Sequence, residues 1–363
     1  MNSQFWKNKK VLVTGHTGFK GGWLSLWLQS MGAHVVGVAL DPPTNPSLYN
    51  QARIAKKIDS TRADIRDLNK INDIFKKYKP EIVFHLAAQP LVRYSYREPV
   101  ETYQTNVMGT LNVLEAIRSV GTVRAAVMIT TDKCYENREW DWGYRENEPM
   151  GGHDPYSSSK GCAELLIASY RDSYFPVDTY TDHEIAIASV RAGNVIGGGD
   201  WADDRLIPDI IRALQSNTDI QIRNPYAIRP WQHVLEPIDG YIELAEKLFS
   251  SHGKYAEAWN FGPKEEDAKP VQWIVEKMAE LWGEGAKWVV DKGEHPHEAK
   301  YLKLDCSKAH AELNWWPKWS LETSLGKIID WHKEAIAGHD LRRLSLSQIQ
   351  EYMDTRELQY ATR

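Results

Sequence analysis

The chain has 363 residues, a hydrophobic fraction of 42% and a formal net charge of −5 at pH 7. This length suits one large α/β domain, or a domain with a smaller lobe. The negative charge argues against nucleic acid as the main ligand. The three cysteines cannot all pair with one another, and the sequence shows no signal peptide and no long apolar run. We therefore expect reduced thiols in a cytoplasmic protein, and we expect no metal site.

Short apolar runs alternate with amphipathic stretches through the first half of the chain. The runs predict strands at 11–14, 34–40, 82–87, 125–131 and 185–191. The stretches between them predict helices at 22–31, 67–78, 100–120 and 156–175. Apolar strands that alternate with helices are typical of a parallel sheet covered on both faces. The sequence therefore predicts a Rossmann-like, doubly wound α/β fold.

Beyond about residue 192 this alternation becomes irregular. The patterns there predict helices at 206–216, 237–249 and 271–281, and extended segments at 220–223 and 288–290. We assign residues 1–192, with a return segment at about 232–250, to the first domain. Residues 193–231 and 251–340 are assigned to a smaller C-terminal α/β lobe. Residues 341–363 are predicted to form a helical tail, which is either an oligomer arm or a frayed end.

A glycine motif follows the first predicted strand. The sequence Gly-His-Thr-Gly-Phe-Lys-Gly occupies residues 15–21, directly before a helical stretch. Gly15 is expected to end the strand in a tight turn, Gly18 to let a pyrophosphate approach the backbone, and Gly21 to allow close packing of helix on strand. The amide groups at the helix N-terminus favour an anion. We therefore predict a dinucleotide site that includes Gly15, Thr17, Gly18, Phe19, Lys20 and Gly21.

Further residues at the ends of strands are candidates for cofactor contacts. Asp41 ends the second strand, where a carboxylate can bind the ribose hydroxyls of NAD and would repel the 2′-phosphate of NADP. The alternative is that Asp41 starts a turn before two prolines. Asp64 and Ile65 follow a third strand, which has no apolar run, and they are expected to border the adenine. Small residues after the fourth strand leave room for a cofactor or simply pack tightly; this group is Leu86, Ala87, Ala88 and Gln89.

A second motif supplies groups for chemistry. Tyr156 and Lys160 are one helical turn apart, so they share a helix face, and a nearby ammonium would lower the pKa of the phenol. The fifth strand ends in Thr131, Asp132 and Lys133, at the edge where this fold binds ligands. The alternatives are a solvated helix face and a loop ion pair. The nearby Cys134 is interpreted as a packing residue rather than a nucleophile.

These motifs together resemble the extended short-chain dehydrogenase/reductase family over nearly the whole chain. The shared features are the glycine motif, Asp64, residues 85–89, Asn106, and the pair Tyr156 and Lys160. Within that family the chain is similar to the nucleotide-sugar 4,6-dehydratases, which carry Thr-Asp-Glu after the fifth strand. Here the triplet is Thr-Asp-Lys at 131–133, as in the CDP-glucose branch. The segments 15–23, 132–137, 191–201 and 229–234 are similar to the same branch.

The resemblance implies a closed redox cycle with NAD as cofactor, and CDP-glucose as substrate. Tyr156 would take the proton of the C4 hydroxyl while hydride leaves C4, and water would then be lost across C5 and C6 before hydride returns to C6. Asp132 would be the acid toward the C6 hydroxyl. The family uses Glu as the C5 base, so here Lys133 would serve, or it would orient substrate while another group takes the proton.

The resemblance also implies contacts to the substrate and to a second subunit. Asn194 matches a position that touches the sugar diphosphate, and Arg205 and Arg229 can bind a diphosphate unless they form surface ion pairs. His233 is expected near that group or packed in the core, and Tyr301 is expected to close the pocket. A homodimer, or a dimer of dimers, would pack the helix of Tyr156 and the helix at 106–120 into a four-helix bundle.

Three alternative functions share parts of this pattern. A 4-epimerase would not need Asp132 and Lys133, and a dehydratase of another nucleotide sugar would keep the same chemistry. A sensor or scaffold that binds a dinucleotide without turnover would commonly lose Tyr156 or Lys160, and both are present. A role in deoxysugar synthesis for a lipopolysaccharide O-antigen is a family expectation.

Overall fold

The structure is a computed structural model that describes residues 3–283, 287–291, 293 and 302–361, without the side chains of 356–361. Its strands are β1 (Lys10–Thr14), β2 (His34–Ala39), β3 (Asp59–Arg62), β4 (Ile82–His85), β5 (Ala125–Ile129), β6 (Ala186–Ala192), β7 (Asn194–Ile196), β8 (Ile220–Ile222), β9 (Ile228–His233), β10 (Ala258–Phe261), β11 (Ala268–Pro270) and β12 (Trp288–Val290).

Its α-helices lie between these strands and in the C-terminal part of the chain. They are α1 (Ser3–Trp6), α2 (Phe19–Ser30), α3 (Leu48–Gln51), α4 (Leu68–Tyr78), α5 (Val92–Arg97), α6 (Pro99–Tyr103), α7 (Gly109–Val120), α8 (Pro155–Tyr174), α9 (Tyr180–His183), α10 (Leu206–Ser216), α11 (Leu235–Ser250), α12 (Val271–Trp282), α13 (Leu321–Ile336) and α14 (Leu341–Ala361). In the described part of the chain, no helix is both long and apolar enough to cross a membrane.

Seven strands form one parallel sheet in the order β10-β6-β5-β4-β1-β2-β3. Alternate side chains of β1 enter different cores. Val11 and Val13 pack with α2 and α11, whereas Leu12 packs with α4, α7 and α8. Both faces of the sheet are therefore covered by helices, which confirms the predicted doubly wound α/β fold.

The two edge strands of this sheet, β3 and β10, lie outside the apolar runs that predicted the other strands. No apolar run marks β3, the third strand placed before Asp64, because its sequence Asp-Ser-Thr-Arg is polar and mostly exposed, as charged edge strands often are. β10 pairs in parallel with β6, although residues 251–340 were assigned to the smaller lobe. That assignment is corrected here: the chain returns to the main sheet through α11 and continues there as far as residue 261.

A smaller lobe lies beyond the main sheet. It contains the three-stranded sheet β11-β9-β7, the pair β12-β8 and the helices α10, α12 and α13, whose apolar side chains share one core. The predicted tail is α14, which packs on this same chain: Tyr352 is fully buried and its ring contacts Trp27 of α2 edge-on at 5.6 Å. Helix α14 therefore supports the back of the helix that follows the glycine motif.

Candidate active site

The glycine motif forms a tight turn between β1 and α2. Gly15 has a φ of +77°, and a Cβ there would lie 2.8 Å from the backbone nitrogen of Ala87. A Cβ at Gly21 would lie 2.2 Å from the carbonyl oxygen of Gly15. Because these contacts involve backbone atoms that cannot move aside, side chains at both positions would disrupt the turn.

The N-terminus of α2 offers amide groups to an anion. Gly18 is the N-cap residue and supplies no capping side chain, so no side chain of the motif competes for the first amides of the helix. Thr17 instead donates from Oγ1 to the carbonyl oxygen of Leu40 at 3.0 Å, and the ring of Phe19 lies against Gly197. These residues fit a bound pyrophosphate.

The side chains predicted to border the adenosine already have cationic partners. Asp41 accepts a hydrogen bond from Arg62 Nε at 2.7 Å, and its side chain is 89% exposed. Asp64 binds Arg66, which lowers the pKa of Asp64. Arg62 offsets part of the repulsion that Asp41 would exert on a 2′-phosphate, so Asp41 alone discriminates against NADP less than the sequence suggested.

The segment after β4 is held from both sides. Thr14 Oγ1 accepts hydrogen bonds from the backbone nitrogens of Leu86 and Ala87, each at 3.1 Å. Asn106 accepts from the nitrogen of Gln89 at 2.8 Å and donates to the carbonyl oxygen of Gln89 at 3.0 Å. Ala88 is half-buried in this segment, and Ile65 packs against Gly109, three residues after Asn106.

Asn106 also connects this segment to the helix of Tyr156. Its Nδ2 donates to Ser159 Oγ of α8 at 2.9 Å. Asn106 lies in a π-helical turn, Gln104–Met108, between α6 and α7. Such turns occur often at functional sites, because they aim a side chain that a regular helix would place elsewhere. The structure therefore links the predicted cofactor segment to the predicted catalytic helix through Asn106.

Tyr156 lies in the first turn of α8. The helix starts at Pro155, with Asp154 as N-cap accepting a hydrogen bond from the nitrogen of Ser157 at 2.9 Å. Burial raises the pKa of Tyr156 to about 12, while a hydrogen bond with Thr131 and the charge of Arg205 act in the opposite direction. The phenol and the fifth-strand triplet therefore meet, as the sequence predicted.

Lys160 makes different interactions from the expected ones. It was expected to lower the pKa of Tyr156, but the principal groups that do so are Thr131 and Arg205. Lys160 Nζ instead donates to the carbonyl oxygen of Ile129 at 3.3 Å. Burial lowers the pKa of Lys160 to about 8, against the opposing effect of Glu164.

Asp132 is buried beside this phenol. It accepts a hydrogen bond from Thr131 Oγ1 at 2.9 Å, and burial raises its pKa, while the charges of Lys133 and Lys20 oppose that rise. A carboxyl group with a raised pKa suits the role of a proton donor. A Cβ at Gly193 would lie 3.1 Å from Asp132 Oδ2, so the loop after β6 closes over this carboxyl group.

The two lysines near Asp132 differ in environment. Lys133 is exposed, so its amine faces solvent in this arrangement. Lys20 was predicted to contact the cofactor. Burial, together with Arg205 and Lys160, lowers the pKa of Lys20 to about 8. Lys20 therefore interacts electrostatically with the charged groups of the reacting centre. Cys134 is fully buried, in keeping with packing.

The predicted substrate contacts divide into two groups. Arg205 is half-buried, binds Asp200 at 3.0 Å and lies close enough to Tyr156 to influence its pKa. Asn194 starts β7 and Arg229 lies on β9, both half-buried in the small lobe. Tyr301 lies outside the described residues.

His233 is not brought to the site. Its side chain is fully buried between aromatic rings, 6.0 Å from Trp23 and 4.9 Å from Trp319 between ring centroids, and burial lowers its pKa to about 3. The predicted substrate contact of His233 is therefore replaced by a packing role.

Several residues around the site received no role from the sequence. Asp200 pairs with Arg205, and Gly193 contacts Asp132. Glu164 and Arg191 form a buried ion pair beneath the reactive groups. One signal was available: Arg191 is a charge within an otherwise apolar strand, and Glu164 continues the spacing of Tyr156 and Lys160 by one more turn.

Comparison with known proteins agrees with this site. The family model for GDP-mannose 4,6 dehydratase matches residues 12–328. The chain belongs to the GDP-mannose 4,6-dehydratase family. A relative in this family, CDP-glucose 4,6-dehydratase of Salmonella typhimurium, is 58% identical over 97% of this chain and 98% of its own length.

Solved structures share the fold. MoeE5, solved in complex with UDP-glucuronic acid and NAD, has a TM-score of 0.75 and 26% identity, and the match covers 90% of this chain and 99% of that one. A dTDP-glucose 4,6-dehydratase from Bacillus anthracis, solved with NAD, has a TM-score of 0.74 at 20% identity, covering 92% and 99% of the two chains. At that identity the second likeness shows the fold alone.

Proposed function

We propose that this protein is an NAD-dependent enzyme that converts CDP-glucose into CDP-4-keto-6-deoxyglucose and water. The observation that carries the proposal is the 58% identity, over nearly the full length of both chains, to a CDP-glucose 4,6-dehydratase. The site adds a chemical reason, because a phenol and a buried carboxyl group meet through Thr131. An epimerase would have no use for that carboxyl group.

The residues of the glycine turn fit NAD. The turn of Gly15 and Gly21 excludes side chains, and the uncapped amides after Gly18 suit the pyrophosphate. Asp41 and Asp64 would face the adenosine, with the segment 86–89 along the rest of the cofactor. When bound, NAD supplies the site with a hydride acceptor and donor.

Tyr156 would remove the proton of the sugar C4 hydroxyl during oxidation at C4. Thr131 and Arg205 favour the phenolate that this step needs, because one shares a hydrogen bond with the phenol and the other places a positive charge nearby. The resulting 4-ketone makes the C5 proton acidic.

Asp132 would protonate the C6 hydroxyl as it leaves. Its raised pKa keeps the carboxyl group protonated at higher pH than an exposed aspartate. Lys133 stands at the position of the family's C5 base, and we propose it for that proton. Since Lys133 is exposed here, this role requires the bound sugar to cover its amine.

The diphosphate would lie between the main sheet and the small lobe. Arg205, Arg229 and Asn194 are proposed to bind it, since guanidinium groups match phosphate oxygens in geometry and charge. Arg205 also reaches the reacting centre electrostatically. The same side chain would therefore link binding of the diphosphate to the state of the phenol.

The experiment offers CDP-glucose, dTDP-glucose, GDP-mannose and UDP-glucose separately to the purified protein, with and without added NAD. Loss of one water from CDP-glucose, read by mass spectrometry and by the ultraviolet chromophore of 4-keto sugars in alkali, is the expected result. Interconversion of hexoses without water loss would instead indicate an epimerase. Water loss from another nucleotide sugar alone would reject the cytidine specificity.

Two substitutions assign the roles. Asp132→Asn is expected to slow water elimination by about 10²-fold or more while NAD still binds. Tyr156→Phe is expected to abolish the absorbance of reduced cofactor in a single turnover. Asp172→Asn, on α8 with a 77% exposed side chain, is the control and should leave turnover unchanged. Normal elimination by Asp132→Asn would contradict the acid role.

We also propose a homodimer built through α7 and α8. Large apolar side chains are exposed on α8 and on α6 and the π-helical turn that lead into α7: Leu165 at 62%, Val100 at 67% and Met108 at 48%. Burying them against a second copy would remove apolar surface from water. Light scattering of the wild type and of Leu165→Glu tests this. We further propose a cytoplasmic location and a role in deoxysugar synthesis for an O-antigen.

A further inference from the structure

A buried ion pair lies directly beneath the reactive side chains. Arg191 Nη2 of β6 binds Glu164 Oε2 of α8 at 2.8 Å, and the side chains are 4% and 3% exposed. Ser189 Oγ donates to the same carboxylate oxygen at 2.7 Å. Neither charge can reach a ligand through solvent, so any effect on chemistry must act through the groups that the pair holds.

The pair binds both ends of the segment that carries the fifth-strand triplet. Thr130 Oγ1 donates to Glu164 Oε1 at the start of that segment. Arg191 Nη1 donates to the hydroxyl of Tyr135 at 2.6 Å at its end, and the guanidinium lies 4.8 Å from the ring centroid of Tyr135. Thr131, Asp132 and Lys133 lie between these two anchors.

The same pair is tied to the helix of the phenol. Tyr156, Lys160 and Glu164 are spaced four residues apart on α8 and share one face of the helix. Lys160 donates to the carbonyl oxygen of Ile129, one residue before Thr130. Two successive turns of α8 therefore hold the end of β5, one through Lys160 and one through Glu164.

Stability alone does not account for this arrangement. A buried ion pair often adds little net stability, because desolvation of the two charges offsets their attraction. The attached groups also have other partners: the carbonyl oxygen of Val190 lies 3.2 Å from Thr130 Oγ1 as a second acceptor for its one proton, and the hydroxyl of Tyr135 donates to Asn260 Oδ1 at 2.8 Å.

We propose that Glu164 and Arg191 are positioning residues, which fix Asp132 relative to Tyr156 by clamping the segment 130–135 to α8. The chemistry assigned to Asp132 and Tyr156 rests on the proposed function. The pair itself touches neither substrate nor cofactor. Its contribution is to keep the proton donor and the phenol in one geometry throughout the reaction.

The first test separates positioning from stability with charge-removing variants. Glu164→Met and Arg191→Met alone are expected to lower the Tm, because each leaves one buried charge unpaired. The double variant removes both charges, so its Tm should recover toward that of the wild type. We expect its kcat for CDP-glucose to remain about 10- to 100-fold low with KM within threefold. Recovery of both Tm and kcat would overturn the proposal.

A milder variant covers the case in which the double variant does not fold. Tyr135→Phe removes only the hydroxyl, while Arg191 keeps Glu164 and the carbonyl oxygen of Glu146 at 3.0 Å. Tyr144→Phe is the matched control, since its ring stacks on Tyr135 at 5.2 Å and its hydroxyl does not touch the pair. We expect a lower kcat for Tyr135→Phe than for Tyr144→Phe. Equal kcat values would count against the clamp.

A readout without turnover keeps this proposal separate from the substrate assignment. Glu164 raises the pKa of Lys160, whose other principal influences are its burial and Cys134. Glu164→Gln should therefore make Lys160 react with an acylating reagent at lower pH, as followed by mass spectrometry. If the wild type does not dehydrate CDP-glucose, only the proposed function fails. An unchanged Lys160 profile shows that Glu164 is not coupled to the helix face and overturns the proposal.

Discussion

Glu236 of α11 is a buried carboxyl group whose ionisation should make folding depend on pH. Its oxygens accept hydrogen bonds from the backbone nitrogens of Lys318 at 3.0 Å and Trp319 at 2.8 Å, and from the hydroxyl of Tyr352 on α14. Burial still dominates and raises the pKa of Glu236 from 4.5 to about 7. Ionisation of Glu236 therefore costs free energy in the folded chain, although its three hydrogen-bond donors offset part of that cost.

The size and sign of the effect follow from this difference in pKa. Since one pKa unit corresponds to about 1.4 kcal/mol, the difference between about 7 in the folded chain and 4.5 in the unfolded chain amounts to about 3 kcal/mol. The folded state holds the proton more tightly. The stabilisation is therefore complete below pH 4.5 and is lost as the pH rises through about 7.

Glu236→Gln tests this reasoning, because a glutamine stays neutral at every pH. For a chain of this length, about 3 kcal/mol corresponds to about 4 °C in Tm. The Tm of the variant relative to wild type should therefore rise by about 4 °C between pH 4.5 and pH 8 in scanning fluorimetry. The control is Glu246→Gln on the same helix, where the side chain is half-buried and water still reaches it. A Tm difference for Glu236→Gln that is the same at both pH values would refute the argument.

Three further predictions concern the reacting centre. Lys20→Met removes a charge that lowers the pKa of Asp132. The alkaline side of the pH profile of water elimination should therefore move to higher pH. Weaker NAD binding with an unshifted profile would contradict this expectation. Arg205→Gln raises the pKa of Tyr156, so the acidic side of the profile for C4 oxidation should move to higher pH, and an unshifted profile would argue against Arg205. Gly193→Ala places a methyl group 3.1 Å from Asp132 Oδ2. We expect water elimination to be about tenfold slower in single turnovers, at an unchanged Tm. Elimination at the wild-type rate would show that the carboxyl group can move freely.

The main sheet was predictable where its strands are buried on both faces. The central strands are apolar throughout because helices cover both sides, and such runs stand out in a sequence. β3 gives no such signal, since an edge strand needs only one neighbour and can expose polar side chains. The return of β10 to the sheet depends on where α11 packs, which no local pattern encodes.

The site was predictable where its geometry is local. The glycine turn and the face shared by Tyr156 and Lys160 follow from spacing alone. The residues that contact those groups come from segments that are distant in the sequence. Asp132 meets Gly193 across 61 residues of sequence, and His233 enters the core because Trp23 and Trp319 converge there. A residue type and its spacing state which chemistry is available, and tertiary packing decides which groups take part.

The charges of the reacting centre also come from segments that are distant in the sequence. The charges of Arg205 and Lys160 both lower the pKa of Lys20, and the anions that act on Lys20 are Asp132 and Asp200. Asp200 already pairs with Arg205, and burial raises the pKa of Asp132, which favours its neutral form. Positive charge is therefore in excess in a site where burial strengthens every interaction. A diphosphate is the kind of ligand that balances such an excess, and its binding would favour the charged forms of both lysines. The net charge of the site thus suits an anionic ligand, and both the pyrophosphate of a dinucleotide and a sugar diphosphate meet that requirement.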